Sequence, residues 1–178
     1  MKKVFSKEDI ARTVTRLGRE IATDYRGKNL VLVVILKGSY LFAADLSRAI
    51  DIPLQIEFMR ASSYGASTCS SQQVEIKLDL EGDLNNKDLL LVEDILDTGR
   101  TLSALYHHLL QRQPASLRIC TLIDKRERRE INIESDYVGF NLEEGFIVGY
   151  GLDYNESLRN LAEIYHFEED ASQETLSP

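Results

Sequence analysis

The feature that most constrains the fold is an apolar segment, Leu30–Leu36, which contains no polar residue and has β-branched residues at its centre. A half-exposed strand alternates apolar and polar residues, whereas an unbroken apolar run of this length is typical of a strand covered on both faces. Residues 89–92 form a second, shorter run of the same kind. Such strands occur mainly in parallel sheets that carry helices on both sides. The sequence therefore predicts an α/β fold built around a parallel sheet.

Helical and alternating patterns surround these two runs. The predicted helices are residues 7–26, with the Ser6 hydroxyl as cap and Gly27 as stop, a segment that begins after Ser39, and residues 102–112. Further strands are predicted at residues 54–58, 74–80, 116–124 and 145–153. Strands that alternate with helices form βαβ units, in which ligands bind at the carboxyl ends of the strands.

Length and charge limit the class of protein. The chain has 178 residues, of which 43% are hydrophobic, enough for one substantial core and too few to favour two ordinary domains. No apolar run approaches the roughly 20 residues that span a bilayer, and the charged N-terminus does not resemble a signal peptide, so we expect a cytoplasmic protein without a membrane partner. The net charge of −8 argues against a broad nucleic-acid surface, because that affinity depends mainly on Lys and Arg. Cys69 and Cys120 lack metal-ligand spacing and are weak evidence for a disulfide.

The segment VEDILDTGRT, residues 92–101, carries the clearest chemical signal. Glu93 and Asp94 follow an apolar run directly, which places them at the predicted ligand edge of the sheet. Two neighbouring carboxylates suit the vicinal hydroxyls of a ribose, and they suit a hard cation such as Mg²⁺ equally well. The alternative is that these acids favour the N-terminus of the following helix through its dipole. That alternative explains Asp97 or Thr98 better than it explains the acidic pair.

The same segment predicts an anion site. Thr98, Gly99 and Thr101 enclose a tight turn where unpaired backbone N–H groups, hydroxyls and the positive helix end can together bind a phosphate. The chain contains no G-x-x-x-x-G-K-[ST] motif, and GYGLDY lacks the third glycine of the dinucleotide pattern. A strand, an acidic pair and a phosphate turn in one segment therefore predict a binding site for a ribose 5-phosphate.

A long polar segment, SSYGASTCSSQQ at residues 62–73, separates two predicted strands. Loops of this length are uncommon inside a compact domain unless they act as lids or binding loops. A lid and a disordered hairpin tip are both compatible with the composition.

At this point the chain resembles a known family. VEDILDTGRT is similar to the phosphoribosyl-diphosphate motif of type I phosphoribosyltransferases. LKGSYLFAADL, SSYG, TLIDKRERR and FIVGYGLDYNESLRNL follow in the order and spacing of the hypoxanthine-guanine phosphoribosyltransferases, over roughly residues 10–165. The resemblance implies a twisted parallel sheet flanked by helices with a small hood. The implied core spans about residues 19–124, the hood comprises the N-terminal segment and about residues 125–167, and residues 168–178 form a loose tail.

The resemblance also implies an activity. It is the transfer of 5-phosphoribosyl from phosphoribosyl diphosphate to hypoxanthine or guanine in purine salvage, with Mg²⁺, in a homodimer or homotetramer. Asp97 is the implied catalytic residue, acting on purine N7 as general base or acid. The implied metal ligands are Glu93 and Asp94, which also hold the ribose hydroxyls, and Asp153, which helps to place a second Mg²⁺. The resemblance implies further substrate-binding residues: Thr98, Gly99, Arg100 and Thr101 for the 5-phosphate, and Lys37, Gly38 and Arg159 for pyrophosphate. It implies Lys125, Phe146 and Ile147 for the purine, and Ser63 and Tyr64 as part of a lid. A cis peptide bond is expected after Leu36.

Each assignment outside the motif has an ordinary structural alternative. Lys125 lies in the charged run DKRERR, which is typical of a solvated face, and Phe146 heads an apolar strand that is typical of a core. Arg159 is spaced to pair with Glu156 or Glu163. Two positions depart from the family: Gly145 replaces a longer side chain, and Arg100 occupies a variable position from which only its backbone is expected to reach the phosphate.

Two other functions fit the same fold. One is a phosphoribosyltransferase that prefers another base, such as xanthine. The second is a nucleotide-sensing regulator that keeps the phosphoribosyl site and binds RNA, which requires a basic face; residues 125–129 are the one candidate patch, and the net charge makes this function the weaker expectation.

Overall fold

The computed structural model of the protein describes residues 1–63 and 74–167. Within these ranges the helices are α1 Lys7–Asp24, α2 Tyr40–Ala49 and α3 Arg100–Leu110. The strands are β1 Lys2–Phe5, β2 Leu30–Leu36, β3 Gln55–Ser63, β4 Val74–Leu78, β5 Asp88–Leu96, β6 Ser116–Lys125, β7 Tyr137–Leu142, β8 Ile147–Val148 and β9 Ile164–His166. None of the helices in this part of the chain is long and apolar enough to cross a membrane.

The main sheet confirms the predicted fold class. Its six strands lie in the order β4-β3-β2-β5-β6-β7, and every pair except β3 with β4 is parallel. Alternate residues of β2 belong to separate cores: Leu32 and Val34 pack with α1 and α2, and Val31 and Val33 pack with α3. Helices therefore cover both faces of β2, which explains why this strand contains only apolar residues.

The first helix shows the predicted start and an earlier end. The Ser6 hydroxyl accepts a hydrogen bond from the Asp9 amide at 3.1 Å, and the Asp9 carboxylate accepts one from the Ser6 amide at 3.0 Å. This capping box satisfies two N–H groups that the first turn would otherwise leave unpaired. The helix ends at Asp24 rather than at residue 26, and Gly27 follows with a positive φ of 77°.

A second, smaller sheet has the order β1-β9-β8 and joins the two ends of the described chain. The sequence patterns predicted none of β1, β7 and β9, and they predicted β8 only as part of a longer strand. β7, although it lies in the segment expected to form the hood, pairs with β6 in the main sheet. The division into core and hood remains a prediction.

The register of the parallel strands determines where the site lies. Leu96, the last residue of β5, is paired with Asp124 of β6, and Leu36 ends β2 on the other side of β5. The carboxyl ends of β2, β5 and β6 thus open at one edge of the sheet. The loops that follow them are residues 37–39, 97–99 and 126–136.

Candidate active site

The acidic pair lies inside β5, because the strand continues to Leu96 instead of ending before Glu93 as the sequence suggested. Asp94 is buried and Glu93 is partly buried. Burial raises the pKa of Glu93 well above the ordinary value, and the neighbouring Asp94 charge raises it further. Burial also raises the pKa of Asp94, against the opposing effect of hydrogen bonds from Glu93 and from the Ile95 amide. Within the described residues neither acid has a cation at ion-pair distance, so the pair suits an incoming cation or hydroxyl groups.

Asp97 and the turn after it line the same cavity, about 240 Å³ in volume, as the acidic pair. The Asp97 Oδ1 atom is buried and has no hydrogen-bond partner in the described part of the chain, while Arg128 lies 3.7 Å from Oδ2. A buried polar atom without a partner is rare in proteins and calls for an explanation, such as a ligand that the site binds. Asp97 therefore presents an available acceptor to the cavity.

Gly99 shapes the turn between β5 and α3. It is the N-cap of α3 with a left-handed φ of 83°, and a Cβ there would lie 2.9 Å from the Ile133 side chain and 3.1 Å from the Ile131 carbonyl oxygen. Glycine has no side chain to cap the first turn of α3, and the Arg100 amide donates to the Thr98 hydroxyl at 3.4 Å. Thr101 and Leu102 of this turn line the cavity, where their amides can donate to an anion. Arg100 directs its guanidinium to Glu130, which fits the expectation that only its backbone reaches the phosphate.

The loop after β2 packs directly against the acidic pair. The Leu36–Lys37 peptide bond is cis, as the resemblance implied. A Cβ on Gly38 would lie only 1.8 Å from Asp94 Oδ2, and a Cβ on Gly151 would lie 1.9 Å from the Gly38 carbonyl oxygen. Three chain segments thus meet at a distance that excludes any side chain at either glycine.

Lys37 and Arg159 project from two of these segments and share one acidic partner. Lys37 Nζ lies 2.8 Å from Glu156 Oε2, and an Nη2 of Arg159 lies 3.5 Å from the same oxygen. Arg159 also contacts Asp153 at 2.7 Å and donates to the Gly151 carbonyl at 2.8 Å, while its buried Nε has no partner in the described chain. The predicted pairing of Arg159 with Glu156 is confirmed, and it brings two cations to one place beside the loop.

The purine-side residues lie at the end of β6 and in β8. Lys125 is 6% exposed, so the alternative of a solvated lysine is wrong for this residue. Its ammonium contacts Glu127 at 3.2 Å. Phe146 is 51% exposed and meets Tyr154 and Phe167 edge to face, so the alternative of a core phenylalanine is wrong as well, and Ile147 is buried in β8. The binding roles of the three residues stay predictions.

The departure at Gly145 has a structural reason. Its φ is 98°, a conformation that favours glycine, and a Cβ would lie 2.5 Å from the ring of His166. A longer side chain at this position would require both the backbone and His166 to move. The glycine therefore fits the turn that leads into Phe146.

The donor set fits Mg²⁺ at the acidic pair. Among the described residues no three His, Cys, Asp or Glu side chains converge as a complete metal cage. Mg²⁺ is usually held by one or two carboxylates, with water and substrate oxygens completing the octahedron, so Glu93 and Asp94 suffice. Asp153, by contrast, is already paired with Arg159 and accepts a hydrogen bond from the Glu156 amide at 2.9 Å. The metal roles of the three residues remain predictions.

Part of the predicted lid lies outside the described residues, and some residues of the site were not predicted from the sequence. Ser63 ends β3, but nothing is described of its side chain, and Tyr64 lies outside the described residues, so the lid assignment is untested. Gly151 and Arg129, which contact Gly38 and the Asp97 carbonyl, were not identified from the sequence, and neither was the contact of Glu156 with Lys37. The run of two glycines around Tyr150 was a usable signal for Gly151. Lys37 is far from Glu156 in sequence, and Asp97 is far from Arg129, so no local pattern indicated these contacts.

The sheet is mainly parallel, and its carboxyl edge presents a pair of acids, an aspartate with an unpartnered oxygen and the N-terminus of a helix. These features define an α/β protein that binds a phosphorylated sugar. The family model described as phosphoribosyl transferase domain matches residues 2–155. The chain belongs to the phosphoribosyltransferase family, in its hypoxanthine-guanine branch.

Three known proteins illustrate the relationship. The hypoxanthine-guanine phosphoribosyltransferase of Mycobacterium tuberculosis is 47% identical over 167 residues, which cover 90% of this chain and 83% of the relative. A crystal structure of a hypoxanthine phosphoribosyltransferase from Staphylococcus aureus matches with a TM-score of 0.90 and 45% identity, over 94% of this chain and 91% of that one. The Trypanosoma cruzi hypoxanthine phosphoribosyltransferase, solved in complex with the product IMP, matches with a TM-score of 0.88 and 40% identity, over 95% of each chain.

Proposed function

We propose that the protein is a purine-salvage enzyme that transfers 5-phosphoribosyl from phosphoribosyl diphosphate to hypoxanthine or guanine, giving IMP or GMP and pyrophosphate. The observation that carries this proposal is the single cavity in which Glu93, Asp94 and the buried, unpartnered Oδ1 of Asp97 precede an open phosphate turn. The relatives described above are named for hypoxanthine, with or without guanine. Neither a xanthine-preferring enzyme nor an RNA-binding regulator finds support among them.

Glu93 and Asp94 are proposed to hold the ribose hydroxyls and a Mg²⁺ ion. When bound, Mg²⁺ would neutralise charge on the diphosphate and orient it. The two acids accept hydrogen bonds from the 2- and 3-hydroxyls of the ribose and keep the sugar beside Asp97. Their raised pKa values are consistent with this role, because a buried acidic pair without a counterion favours any ligand that supplies positive charge or donors.

The 5-phosphate is proposed to bind at residues 98–101. The amides of Thr101 and Leu102 and the hydroxyls of Thr98 and Thr101, residues that all line the cavity, would donate to the phosphate. Gly99 supplies the left-handed backbone that the turn needs. Binding of the 5-phosphate fixes one end of the substrate, so that the anomeric carbon stays at a constant distance from the purine.

Pyrophosphate is proposed to leave along the loop after β2. The backbone amides of Lys37 and Gly38 and the guanidinium of Arg159 would contact it, and Asp153 would help to place a second Mg²⁺. Gly38 lies against Asp94, so the leaving group and the ribose meet at one point. Ser63 and Tyr64 are proposed to belong to a lid, which would exclude water from the reacting carbon.

Bond cleavage at an anomeric carbon develops positive charge on the sugar, as glycoside cleavage does. Nearby carboxylates stabilise that charge. Asp97 is the proposed catalytic residue: as general base or acid it would exchange a proton with purine N7 while N9 forms the new bond. Lys125 would donate to the 6-oxo group, Phe146 would stack on the ring, and the Ile147 backbone would contact the ring edge.

The test of the base specificity is a steady-state comparison of hypoxanthine, guanine, xanthine and adenine. A buried lysine that donates to a 6-oxo group cannot serve a 6-amino group, and a buried unpaired donor costs about 1–3 kcal/mol. We therefore expect hypoxanthine or guanine to give the highest kcat/KM and adenine the lowest.

Lys125→Met should lower kcat/KM for hypoxanthine about 10- to 100-fold. Lys87→Met, just before β5 at the opposite edge of the sheet, should leave kcat/KM unchanged. Adenine as the best substrate would disprove the proposed role of Lys125.

We also propose that the protein is a homodimer or homotetramer. Ile56 and Phe58 lie on one face of β3, and Leu78 of β4 lies beside Arg60 on that face; all three apolar side chains are more than 40% exposed. A group of exposed apolar side chains on one face is typical of an interaction surface. Light scattering after size-exclusion chromatography should give a mass of two or four chains, and Phe58→Ser should reduce it. A monomeric wild type would contradict the proposal.

The buried free thiol of Cys120 is consistent with a reducing compartment, and we propose the cytoplasm as the location. Fractionation of cells that express the protein tests this directly. Recovery in a membrane or secreted fraction would contradict it.

A further inference from the structure

A partly buried arginine, Arg129, connects the ends of the two strands that carry the reactive side chains. Arg129 donates from Nε to the Asp97 carbonyl at 2.9 Å, from Nη2 to the Leu96 carbonyl at 3.1 Å and from Nη1 to the Ile133 carbonyl at 2.9 Å. Nη2 also hydrogen-bonds the carboxylate of Asp124, and the side chain of Arg129 is 17% exposed. With the Lys125 carbonyl, which lies 3.4 Å from Nη2, one guanidinium thus holds four backbone carbonyls and one carboxylate together.

The register of the sheet explains why these contacts matter for the site. Leu96 of β5 is paired with Asp124 of β6, so Asp97 and Lys125 are the next residues on two adjacent parallel strands. Parallel neighbours lie about 4.8 Å apart. Arg129 contacts the backbone at the end of β5 and the side chain that precedes Lys125 on β6, and its Nη2 lies 3.4 Å from the Lys125 carbonyl. The arginine therefore spans the gap between the two strand ends.

The same segment holds the phosphate turn. The amides of Glu130 and Ile131 donate to the Thr98 carbonyl at 3.0 and 3.1 Å. Residues 129–131 therefore contact the backbone of both Asp97 and Thr98. Movement of Arg129 would be transmitted to the proton-transfer residue and to the 5-phosphate grip together.

We propose that Arg129 is a positioning residue that fixes Asp97 relative to Lys125, so that the two side chains reach N7 and the 6-oxo oxygen of the same purine. The inference rests on the proposed function. N7 and O6 are neighbouring atoms on one edge of a 6-oxopurine. Asp97 and Lys125 must therefore keep a constant separation if they are to contact both atoms of the same base. A planar guanidinium with five N–H donors can fix that separation by bridging carbonyls on both strands.

Substitution by lysine separates geometry from charge. Arg129→Lys keeps a positive charge beside Asp124, but a single ammonium cannot reach all the carbonyls that the guanidinium bridges. A displacement of about 1 Å at a reacting group can reduce the rate about 100-fold. We expect Arg129→Lys to lower kcat about 30- to 100-fold, with a smaller change in KM for phosphoribosyl diphosphate.

Arg126→Lys is the matched control. Arg126 also hydrogen-bonds Asp124, at 3.4 Å, but its side chain is 73% exposed. Its replacement should leave kcat within about two-fold of the wild-type value, as is usual for surface substitutions. The comparison holds the residue type, the chain segment and the acidic partner constant.

The decisive experiment combines Arg129→Lys with Asp97→Asn. If Arg129 acts through Asp97, its substitution should reduce the remaining kcat of the Asp97→Asn variant by about three-fold or less, because effects of residues that act as a unit are not additive. An equal loss in both backgrounds, or an unchanged kcat in Arg129→Lys alone, would overturn the positioning role. A wild-type protein that transfers phosphoribosyl to none of the four bases would instead overturn the proposed function, and the positioning role with it.

Discussion

Two buried aspartates at the ends of neighbouring strands have opposite surroundings. Asp124 of β6 is 4% exposed and contacts both Arg129 and Arg126. Asp94 of β5 is 8% exposed, and in the described chain its carboxylate lies against the backbone of Gly38 without a cation at ion-pair distance. A buried charge normally requires a partner, so the difference separates an acid that supports the fold from an acid that awaits a ligand.

The residues around Asp124 and Asp94 differ in the same way as the two acids do. On β6, the segment 124–133 is connected to the ends of both strands by hydrogen bonds of one arginine. On β5, burial raises the pKa values of both Glu93 and Asp94, the Asp94 charge raises that of Glu93 further, and Asp97 keeps an unpartnered oxygen. Functional sites are often less stable than their surroundings, because ligands must find groups that the protein has left unsatisfied.

The largest expected effect is on turnover at Asp97. Asp97→Asn keeps the size of the side chain but removes the proton acceptor, and we expect kcat to fall about 100- to 10,000-fold while phosphoribosyl diphosphate still binds. Steady-state kinetics together with a direct binding titration measure both quantities. Asp51→Asn, at an exposed position after α2, is the control. An unchanged kcat would remove the acid or base role of Asp97.

The second expected effect is on stability at Asp124. Asp124→Asn leaves the partly buried guanidinium of Arg129 without its carboxylate, a loss that in buried pairs typically costs about 3 kcal/mol. The unfolding midpoint should fall by about 6–12 °C in thermal denaturation. Glu20→Gln, which breaks an exposed pair with Arg16, should change it by at most about 3 °C. Equal midpoints for the two variants would show that Asp124 is not structural.

A smaller effect is expected at Glu156, whose carboxylate contacts Lys37 and Arg159. The hydrogen bond from Lys37 lowers the pKa of Glu156, so the acid is ionised at neutral pH and competes with pyrophosphate for both cations. Glu156→Gln should lower KM for phosphoribosyl diphosphate about two- to three-fold, a size typical of exposed ion pairs. Glu8→Gln, in an exposed pair with Lys7, serves as the control. A higher KM in Glu156→Gln would indicate that Glu156 assists binding instead.

The sequence predicted most of the β5 side of the site, because its parts are contiguous. Glu93, Asp94, Asp97 and the turn at Gly99 lie within a few residues, and local rules for strands, turns and helix starts apply to them. The β6 side depends on tertiary contacts. Lys125 lies in a charged run that suggested solvent exposure, and only the family resemblance indicated a binding role.

The same dependence on tertiary contacts explains why β1, β9 and Arg129 were missed. β9 has three residues and pairs with β1 from the opposite end of the chain, so neither strand has a local pattern long enough to detect. Arg129 became recognisable only when the β5–β6 register placed its carbonyl partners together. Local sequence rules therefore identify contiguous sites and miss the groups that hold them in position.

Asp94 is expected to destabilise the free protein, because its carboxylate is kept for a ligand. Thermal unfolding of wild type and Asp94→Asn as a function of pH tests this most directly. Burial raises the pKa of Asp94, so this group binds a proton more tightly in the folded than in the unfolded chain, and its contribution to stability falls as pH rises from about 4. Asparagine carries no such charge. The account predicts that the variant unfolds about 2–4 °C above wild type at pH 7, a gain of about 1 kcal/mol, and that the difference shrinks toward pH 4. A midpoint at pH 7 below that of wild type, as expected for Asp124→Asn, would contradict it.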